Sequence, residues 1–282
     1  MKKTLKKSIH YSRDIQKKVK WFVEYKNSKT KQIAQQAVDL QLLTSKKVLM
    51  LVPHADDELI GGSQLIKSFG SNLSAFYFGF LGPNPPENSA QIRLSELKSS
   101  SEKLKLRFRA STGRHIEELS ELIADTKPEI IALPFLIDWQ PEHLQSGIIL
   151  DRAILEVQHQ FPSYQPQICM YQISVPITEK FITHYLPMSK AEHSSKWKVF
   201  HDVYTSQSYI PSLRFIFQER ISGQCLGHYA AEVFALSSFT EWRTRLRKVV
   251  EYDIKKFRLD KKIGNIKHIR KASQRVSEEF LV

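Results

Sequence analysis

Residues 47–62 read Lys-Val-Leu-Met-Leu-Val-Pro-His-Ala-Asp-Asp-Glu-Leu-Ile-Gly-Gly, and this stretch decides the fold. Its apolar run, residues 48–52, predicts a strand buried on both faces, since such strands are short and continuously apolar. Four residues able to bind a metal or transfer a proton follow within five positions: His54, Asp56, Asp57 and Glu58. Open α/β sheets bind ligands beyond the carboxyl ends of their strands, so the stretch predicts a functional site at that edge.

Strand and helix patterns alternate after this stretch. Further apolar runs predict strands at residues 73–80, 129–136 and 167–175. Helical spacing of apolar residues predicts helices at residues 58–68, 90–104, 116–124, 142–158, 190–203 and 227–237. Strands separated by helices of about ten or more residues predict a Rossmann-like α/β fold, with a mostly parallel sheet and helices on both faces.

Both ends of the chain are expected to extend this body. Residues 9–43 show helical spacing in two pieces, separated by a polar break at residues 27–29. One face should pack on the body, and an interfacial membrane helix is the alternative. Residues from 247 onward predict either an amphipathic helix or a partly ordered tail. The expected organisation is a basic helical N-terminal extension at 1–45, a central domain at 46–240 and a basic C-terminal extension at 241–282.

The formal net charge of +13 is unevenly distributed over the 282 residues. Residues 1–31 carry +9 and residues 241–282 carry +7, which leaves −3 for the segment between them. Two interpretations of the basic ends stay open: solvated helix faces, or surfaces for an anionic membrane or another polyanionic ligand. A nucleic-acid partner is not expected, and oligomerisation stays open.

The cysteines and the N-terminus bear on localisation. Cys169 and Cys225 form neither a CxxC pair nor a disulfide framework, which favours reduced thiols inside a cell. No apolar signal-peptide core follows the basic N-terminus, and no run approaches the roughly 20 apolar residues of a membrane span. We therefore predict a cytoplasmic protein, with a peripheral position at the inner membrane face as the alternative if the basic ends bind lipid.

The cluster from His54 to Glu58 is typical of a hydrolytic metal site. Imidazole and carboxylate groups are ordinary zinc ligands, and a bound metal ion lowers the pKa of water. Asp56 and Asp57 are adjacent, so one carboxylate can bind the metal while its neighbour accepts a proton. The alternative is an acidic helix cap after a strand, because Asp caps helices well and negative charge suits a helix N-terminus.

A second motif, Asp138-Trp-Gln-Pro-Glu-His143, also lies between an apolar strand and a predicted helix. A catalytic zinc ion usually has three protein ligands and one open position. His143 would complete a set with His54 and Asp57, since loops at the carboxyl ends of parallel strands can converge. Taken alone, His143 could equally be a histidine that starts a helix.

These motifs resemble those of the PIG-L/LmbE-like family of zinc-dependent N-deacetylases. The matching segments are Pro53-His-Ala-Asp-Asp-Glu58 with Gly61-Gly62, Arg93-Leu-Ser-Glu96, Pro141-Glu-His143, Lys198 to Gln207 with its final Tyr-Thr-Ser-Gln, and Ala231-Glu-Val-Phe234. The resemblance covers residues 47 to about 238. It implies removal of an N-acetyl group from an amino sugar or an N-acetylglucosamine-type glycoconjugate.

The resemblance also implies roles for individual residues. The ligands of Zn²⁺, or of another divalent metal, would be His54, Asp57 and His143. Asp56 would be the general base. Arg93 matches a residue that grips the substrate, with a solvated helix arginine as the alternative. Trp139 could stack on a sugar ring or belong to the core.

The chain departs from the family pattern at Gln140, where the family commonly has histidine. A glutamine amide can donate a hydrogen bond to an oxyanion but cannot deliver a proton. His228 could supply the missing imidazole from the C-terminal region, or it could be structural. Glu142, which replaces the family's Asp, keeps a carboxylate beside the ligands on a longer side chain.

Two other functions stay open. A metal-dependent nucleotide-sugar binding protein or glycosyltransferase could hold a metal–diphosphate on Asp56 and Asp57. The lack of a G-x-G-x-x-G loop after the first strand counts against it. A non-catalytic member of the family is the other alternative, because Gln140 alters the proton-donating part of the site.

Overall fold

The computed structural model describes residues 16, 18–27, 37–251, 259–262 and 266–281. The strands are β1 Val38–Asp39, β2 Val48–Val52, β3 Leu73–Tyr77, β4 Arg107–Ala110, β5 Ile130–Pro134, β6 Gln167–Tyr171, β7 His184–Met188 and β8 Ala230–Ser238. The helices are α1 18–27, α2 Asp57–Phe69, α3 Ser89–Leu104, α4 His115–Thr126, α5 Pro141–Gln160, α6 Lys190–Val203, α7 Ser212–Cys225, α8 Phe239–Glu251, α9 Leu259–Lys262 and α10 Ile266–Phe280.

The described strands form one eight-stranded sheet in the order β1-β7-β8-β6-β5-β2-β3-β4. Neighbouring strands are parallel, except that β8 runs antiparallel to both β6 and β7. The predicted α/β fold with a mostly parallel sheet is therefore confirmed. The carboxyl ends of β2 and β5, which carry the two motifs singled out from the sequence, are neighbours in this sheet.

Strand β2 shows how helices come to cover both faces. Leu49 and Leu51 enter a core shared with α4, α5, α8 and α10. Met50 and Val52 enter a second core shared with α2, α3, α6 and α7. Every residue of β2 is buried, because each side of the sheet meets a helical layer. This explains why the strand reads as a continuous apolar run.

The prediction of a helix at residues 227–237 is wrong, because Ala230–Ser238 forms β8. Its sequence, Ala-Ala-Glu-Val-Phe-Ala-Leu-Ser-Ser, contains several good helix formers. However, β8 lies between β6 and β7, pairs with both, and is buried along most of its length. Pairing and burial on both faces override the local helix propensity.

The N-terminal helix prediction is confirmed only in part. Residues 18–27 are helical, whereas residues 9–15, 17 and 28–36 lie outside the described residues. From residue 37 the prediction is wrong, since Val38–Asp39 pairs with β7 and Leu40–Leu43 is a 3-10 turn. The Asp39 carboxylate accepts a hydrogen bond from the Gln41 amide at 2.9 Å, which caps that turn.

Strands β4 and β7 and helix α7 are among the elements that were not predicted. Strand β4 is an edge strand with the sequence Arg-Phe-Arg-Ala, and β7 contains Pro187, so neither forms a clear apolar run. Helix α7 mixes charged and apolar residues around its circumference, and it buries Arg214 and Glu219 as well as Phe215. Its polar residues face the interior, which removes the amphipathic spacing that indicates a helix.

Helices α8 and α10 belong to the same core as the sheet. Trp242 on α8 and Ile269 and Val276 on α10 are fully buried. The α10 serines also face inward, and the Ser273 hydroxyl donates to the Pro176 carbonyl at 2.5 Å. Of the two alternatives predicted for the C-terminal region, the amphipathic helix is confirmed over residues 266–280. None of the described helices combines the length and apolarity needed to cross a bilayer.

Candidate metal centre and substrate cleft

A cleft of about 420 Å³ opens at the carboxyl ends of the central strands. It is bordered by Leu81, Gly82 and Pro83, from the proline-rich loop after β3, and by the start of α7. Seven of the side chains singled out from the sequence line it: His54, Asp56, Asp57, Arg93, Trp139, Gln140 and His143. Its volume suits a small-molecule ligand.

Close packing of α2 on the sheet positions the first motif. Helix α2 begins at Asp57, directly after the turn that follows β2. A Cβ atom added to Gly61 would lie 2.3 Å from Cδ2 of Tyr171 on β6, so only glycine allows the helix to approach this closely. The Tyr171 hydroxyl in turn donates to the Leu51 carbonyl at 2.5 Å. These contacts fix the positions of His54 and Asp57 relative to the end of β2.

Three donor atoms converge at the buried end of the cleft. Nδ1 of His54 lies 3.2 Å from Oδ2 of Asp57 and 3.2 Å from Nε2 of His143. The third side of this triangle, from Nε2 of His143 to Oδ2 of Asp57, is 3.4 Å. Zinc ligands at about 2.0–2.2 Å in a tetrahedron lie roughly 3.3–3.6 Å apart. The three residues therefore form a group that could hold a zinc-sized ion.

Each histidine of this group contacts a second carboxylate through its other ring nitrogen. Nε2 of His54 lies 2.7 Å from Oε2 of Glu142, and Nδ1 of His143 lies 3.1 Å from Oδ2 of Asp138. A proton on each of these nitrogens leaves the lone pair of the other nitrogen directed at the triangle. Carboxylates in this position orient metal-binding histidines and make them more basic.

The carboxylates behind the histidines are themselves anchored by backbone amides. Glu142 accepts a hydrogen bond from the Gly82 amide at 3.0 Å. Asp138 accepts hydrogen bonds from the amides of Gln140 at 3.0 Å and Ser174 at 3.2 Å. A carboxylate at Glu142 was expected from the sequence, whereas Asp138 was given no role. Its place four residues after β5, at the start of the second motif, is the signal that could have identified it.

Two opposing effects, burial and close contact with opposite charges, determine the pKa values of His54 and Asp57. Burial alone would lower the pKa of His54, but its contacts with Asp57 and Glu142 raise it to about 9. Burial alone would raise the pKa of Asp57, but the charges of His143 and His54 outweigh it and lower this pKa well below its usual value. Asp57 is therefore ionised at neutral pH, as a metal-binding carboxylate must be.

Asp56 differs from its neighbour in both backbone and side chain. Its φ of 126° and ψ of −24° lie in a region that residues with side chains rarely adopt. Such strain costs on the order of 1–3 kcal/mol and concentrates at functional sites. The side chain makes no capping hydrogen bond, which argues against the helix-cap alternative for this residue. Burial, and then the charge of Asp57, raise the pKa of Asp56 well above its usual range.

Glu58 has a supporting role. It is fully buried and accepts hydrogen bonds from the Ser100 hydroxyl at 2.6 Å and from the Tyr204 hydroxyl. Its other oxygen accepts a hydrogen bond from the Asp56 amide at 3.1 Å. This contact holds the strained peptide at Asp56, while α3 and the segment after α6 hold Glu58.

Arg93 approaches the cleft from α3 and has neutral partners. Its guanidinium donates to Oε1 of Gln207 at 3.2 Å and to the Tyr209 hydroxyl at 3.3 Å. The Gln207 amide donates to the Ala55 carbonyl, next to His54. Arg93 is thus held at the cleft by neutral groups, and its positive charge opposes the rise in the pKa of Asp56.

The structure does not bring His228 to the metal centre. Its ring lies 5.4 Å from the ring of Tyr185, and it lines a different pocket, together with Lys67 and Glu192. The proposed replacement of the missing imidazole at Gln140 by His228 therefore has no geometric basis. Across the described residues, His54 and His143 are the histidines that line the cleft.

Arg214 on α7 was not among the residues predicted from the sequence. This arginine lines the cleft and is 3% exposed, and its Nε and NH1 atoms have no hydrogen-bond partner among the described residues. Burial lowers the pKa of its guanidinium to about 10, although the negative charge of Asp138 opposes this shift. A buried charged donor without a partner costs about 1–3 kcal/mol or more. No sequence pattern around Ser212-Leu-Arg-Phe215 indicated it.

Known proteins resemble this chain in their fold. No model of a protein family matches the chain, and no curated protein matches it. A conserved protein of Thermus thermophilus has 18% identity and a TM-score of 0.54, with 67% of this chain and 94% of that chain covered. The N,N'-diacetylchitobiose deacetylase of Pyrococcus horikoshii has 18% identity and a TM-score of 0.51, with 68% and 84% covered. At this identity the likeness shows that the chain shares their fold.

Proposed function

We propose that this protein is a metal-dependent N-deacetylase that hydrolyses the N-acetyl group of an amino sugar or an N-acetylglucosamine-type glycoconjugate. One observation carries the proposal. Three ligand atoms separated by 3.2–3.4 Å lie in a cleft beside Asp56, a buried carboxylate without a capping hydrogen bond. The similar Pyrococcus horikoshii protein, which is a deacetylase of a diacetylated sugar by its name, agrees with it.

His54, Asp57 and His143 would hold the metal, most simply Zn²⁺. When bound, such an ion supplies Lewis acidity to an amide carbonyl and activates water. Asp56 would accept the proton of the attacking water, because burial and the charge of Asp57 raise the pKa of this carboxylate and make it a stronger base. The same proton can then pass to the leaving amine, so that Asp56 returns to its ionised state and the proton balance closes.

The remaining cleft residues would bind and orient the substrate. The Gln140 amide can donate a hydrogen bond to the developing oxyanion, although it cannot supply a proton. Arg93 is held at the cleft by Gln207 and Tyr209 and would contact polar groups of the sugar. Trp139 lines the cleft and would stack on the apolar face of a sugar ring.

Metal analysis followed by an acetate-release screen tests this proposal. Purified protein should contain about one equivalent of divalent metal per chain, and it should release acetate from at least one N-acetylated sugar or conjugate. His54→Ala should lose both metal and activity. Arg109→Met, which removes a surface arginine paired with Glu121, is a control that should change neither. Protein that holds no divalent metal, and gains none on reconstitution, would contradict the proposal.

A non-catalytic binding protein is the second candidate, and one observation favours it. Gln140 replaces a proton-donating histidine, and the structure places His228 in another pocket. Asp56 would then have to serve alone as both base and acid. Protein that binds one equivalent of metal and binds N-acetyl sugars, but releases no acetate from a broad panel, would support this candidate over the enzyme.

A further inference from the structure

Arg214 is unusual among the buried charged side chains of this protein. It is 3% exposed, yet Nε and NH1 have no hydrogen-bond partner in the described part of the chain. Its guanidinium packs against an aromatic ring, with the guanidinium carbon 4.2 Å from the ring centroid of Phe215. Buried charges in folded proteins are normally paired. Arg214 therefore has unused binding capacity inside the cleft.

Neighbouring carboxylates do not use this capacity. Asp138 is the carboxylate whose charge acts on Arg214, but its oxygens already contact His143, the Gln140 amide and the Ser174 amide. By contrast, Lys196 is equally buried but donates to the Ile60 carbonyl and to the carboxylates of Glu219 and Glu232. This contrast separates a charge that stabilises the fold from a charge that is available to a ligand.

Arg93 brings a second guanidinium to the same cleft. Its hydrogen-bond partners, Gln207 and Tyr209, are neutral, and the carboxylate on which its charge acts is Asp56. Neither guanidinium donates a hydrogen bond to a carboxylate among the described residues, so both can donate to an anionic ligand in the cleft. The planar guanidinium matches the geometry of carboxylate and phosphate groups, to which it can donate two parallel hydrogen bonds.

We propose that Arg214 is a specificity-determining residue that binds an anionic oxygen group, a carboxylate or phosphate, on the N-acetylated substrate. This inference rests on the proposed function, and it narrows the substrate class from N-acetylated sugars in general to acidic ones. A sugar phosphate and a sugar carboxylic acid share the required chemistry. A neutral sugar would leave Arg214 buried and unpaired in the complex, and would therefore bind more weakly.

The test measures binding separately from turnover. Metal-loaded Asp56→Asn is titrated calorimetrically with N-acetylglucosamine, with N-acetylglucosamine 1-phosphate and with N-acetylmuramic acid. We expect one or both acidic sugars to bind about 10- to 100-fold more tightly than the neutral one, as for hydrogen bonds to a charged group. The phosphate and carboxylate arms show which anion the cleft accepts.

Substitutions then assign the preference to Arg214. Arg214→Met in the same background should reduce the preference to about twofold or less, and Arg214→Lys should retain part of it. The control Arg109→Met removes an exposed arginine and should leave the preference unchanged. Arg214→Met should melt no lower than its parent, because it removes an unpaired buried charge. If it does not fold, Arg214→Gln takes its place in the comparison.

The outcomes separate this inference from the proposed function. If wild-type protein releases acetate equally well from neutral and acidic sugars, and Arg214→Met leaves that ratio unchanged, the inference is wrong while the deacetylase proposal stands. If no sugar releases acetate but acidic sugars bind in an Arg214-dependent way, the inference stands and the deacetylase proposal fails. Equal binding of all three sugars to Asp56→Asn also overturns the inference.

Discussion

Two groups of buried charged residues involve α2, and they are built differently. The lysine cluster consists of Lys196 with Glu219, Glu232 and His193; the metal cluster consists of His54, Asp57 and His143. In the lysine cluster the ammonium group donates to three acceptors, and Glu219 also accepts hydrogen bonds from His193 at 2.9 Å and Trp197 at 2.8 Å. Its members are satisfied by one another.

The metal cluster has similar residue types, but its polar atoms are paired differently. The histidines use one ring nitrogen each for Glu142 and Asp138, and the other nitrogens converge with Asp57 within 3.4 Å. A shared cation can replace the ring protons that otherwise lie between these ligand atoms. The comparison shows that convergent lone pairs beside a cleft, rather than buried charge alone, distinguish a functional site from a structural one.

The largest expected effect is a loss of activity at Asp56 without a loss of metal, which would distinguish the general base from the metal ligands. Asp56→Asn should reduce acetate release by about 10²–10⁴-fold, because it removes the group that accepts the proton. Metal content should stay unchanged, since Asp56 is not one of the three convergent donors. Acetate assays and elemental analysis of the same sample check both. Loss of metal in this variant would show that Asp56 is a ligand.

The lysine cluster should affect stability instead. Lys196→Met leaves Glu219 and Glu232 buried without their cation, so we expect the free energy of unfolding to fall by about 3–5 kcal/mol. Denaturant titration measures this change. Replacing both glutamates by glutamine in the same chain should recover part of the loss. A Lys196→Met protein with full stability but no metal would contradict the assignment of a structural role.

The carboxylates behind the histidines should have an intermediate effect. Glu142→Gln and Asp138→Asn should each weaken metal binding by about 10–100-fold, because they remove the charge that orients and polarises a ligand histidine. Competition with a chromophoric chelator gives the affinities. Glu121→Gln, which changes an exposed carboxylate on α4, is the matched control and should have no effect. Unchanged affinity in both variants would limit the metal cluster to its three convergent residues.

The smallest effect on the free energy of unfolding is expected for an exposed ion pair. Lys67 contacts Glu192, but the Lys67 side chain is 60% exposed and that of Glu192 is 34% exposed. Lys67→Met should change the free energy of unfolding by about 1 kcal/mol or less, because solvent screens the pair. The same denaturant titration used for Lys196→Met applies. A loss comparable to that of Lys196→Met would mean that burial does not explain the difference between the two lysines.

The metal ligands could be predicted because metal-binding residue types follow apolar strands closely in the sequence. His54 and Asp57 directly follow an apolar strand, and His143 follows another, so their convergence depends only on two parallel strands being neighbours. Strand β8 was missed because its identity is decided by β6 and β7, which are distant in sequence. Local propensity contains no information about such partners.

Arg214 was missed for a related reason. Its significance lies in the lack of a partner among the described residues, and the partners available to a side chain are set by the packing of distant segments. His228 illustrates the converse: residue type and region made it a candidate for the missing imidazole, but it lines a different pocket. Residue type predicts what a side chain can do, whereas only the fold determines what it meets.

The backbone at Asp56 restricts which amino acids natural selection can place there. With φ at 126°, glycine would relieve the strain, while most other residues would increase it. Stability and turnover therefore select different residues at this position. We expect Asp56→Gly to raise the melting temperature while abolishing acetate release, and a lower melting temperature would contradict this view. In a lineage that had lost the activity, position 56 should be among the first in this turn to drift towards glycine.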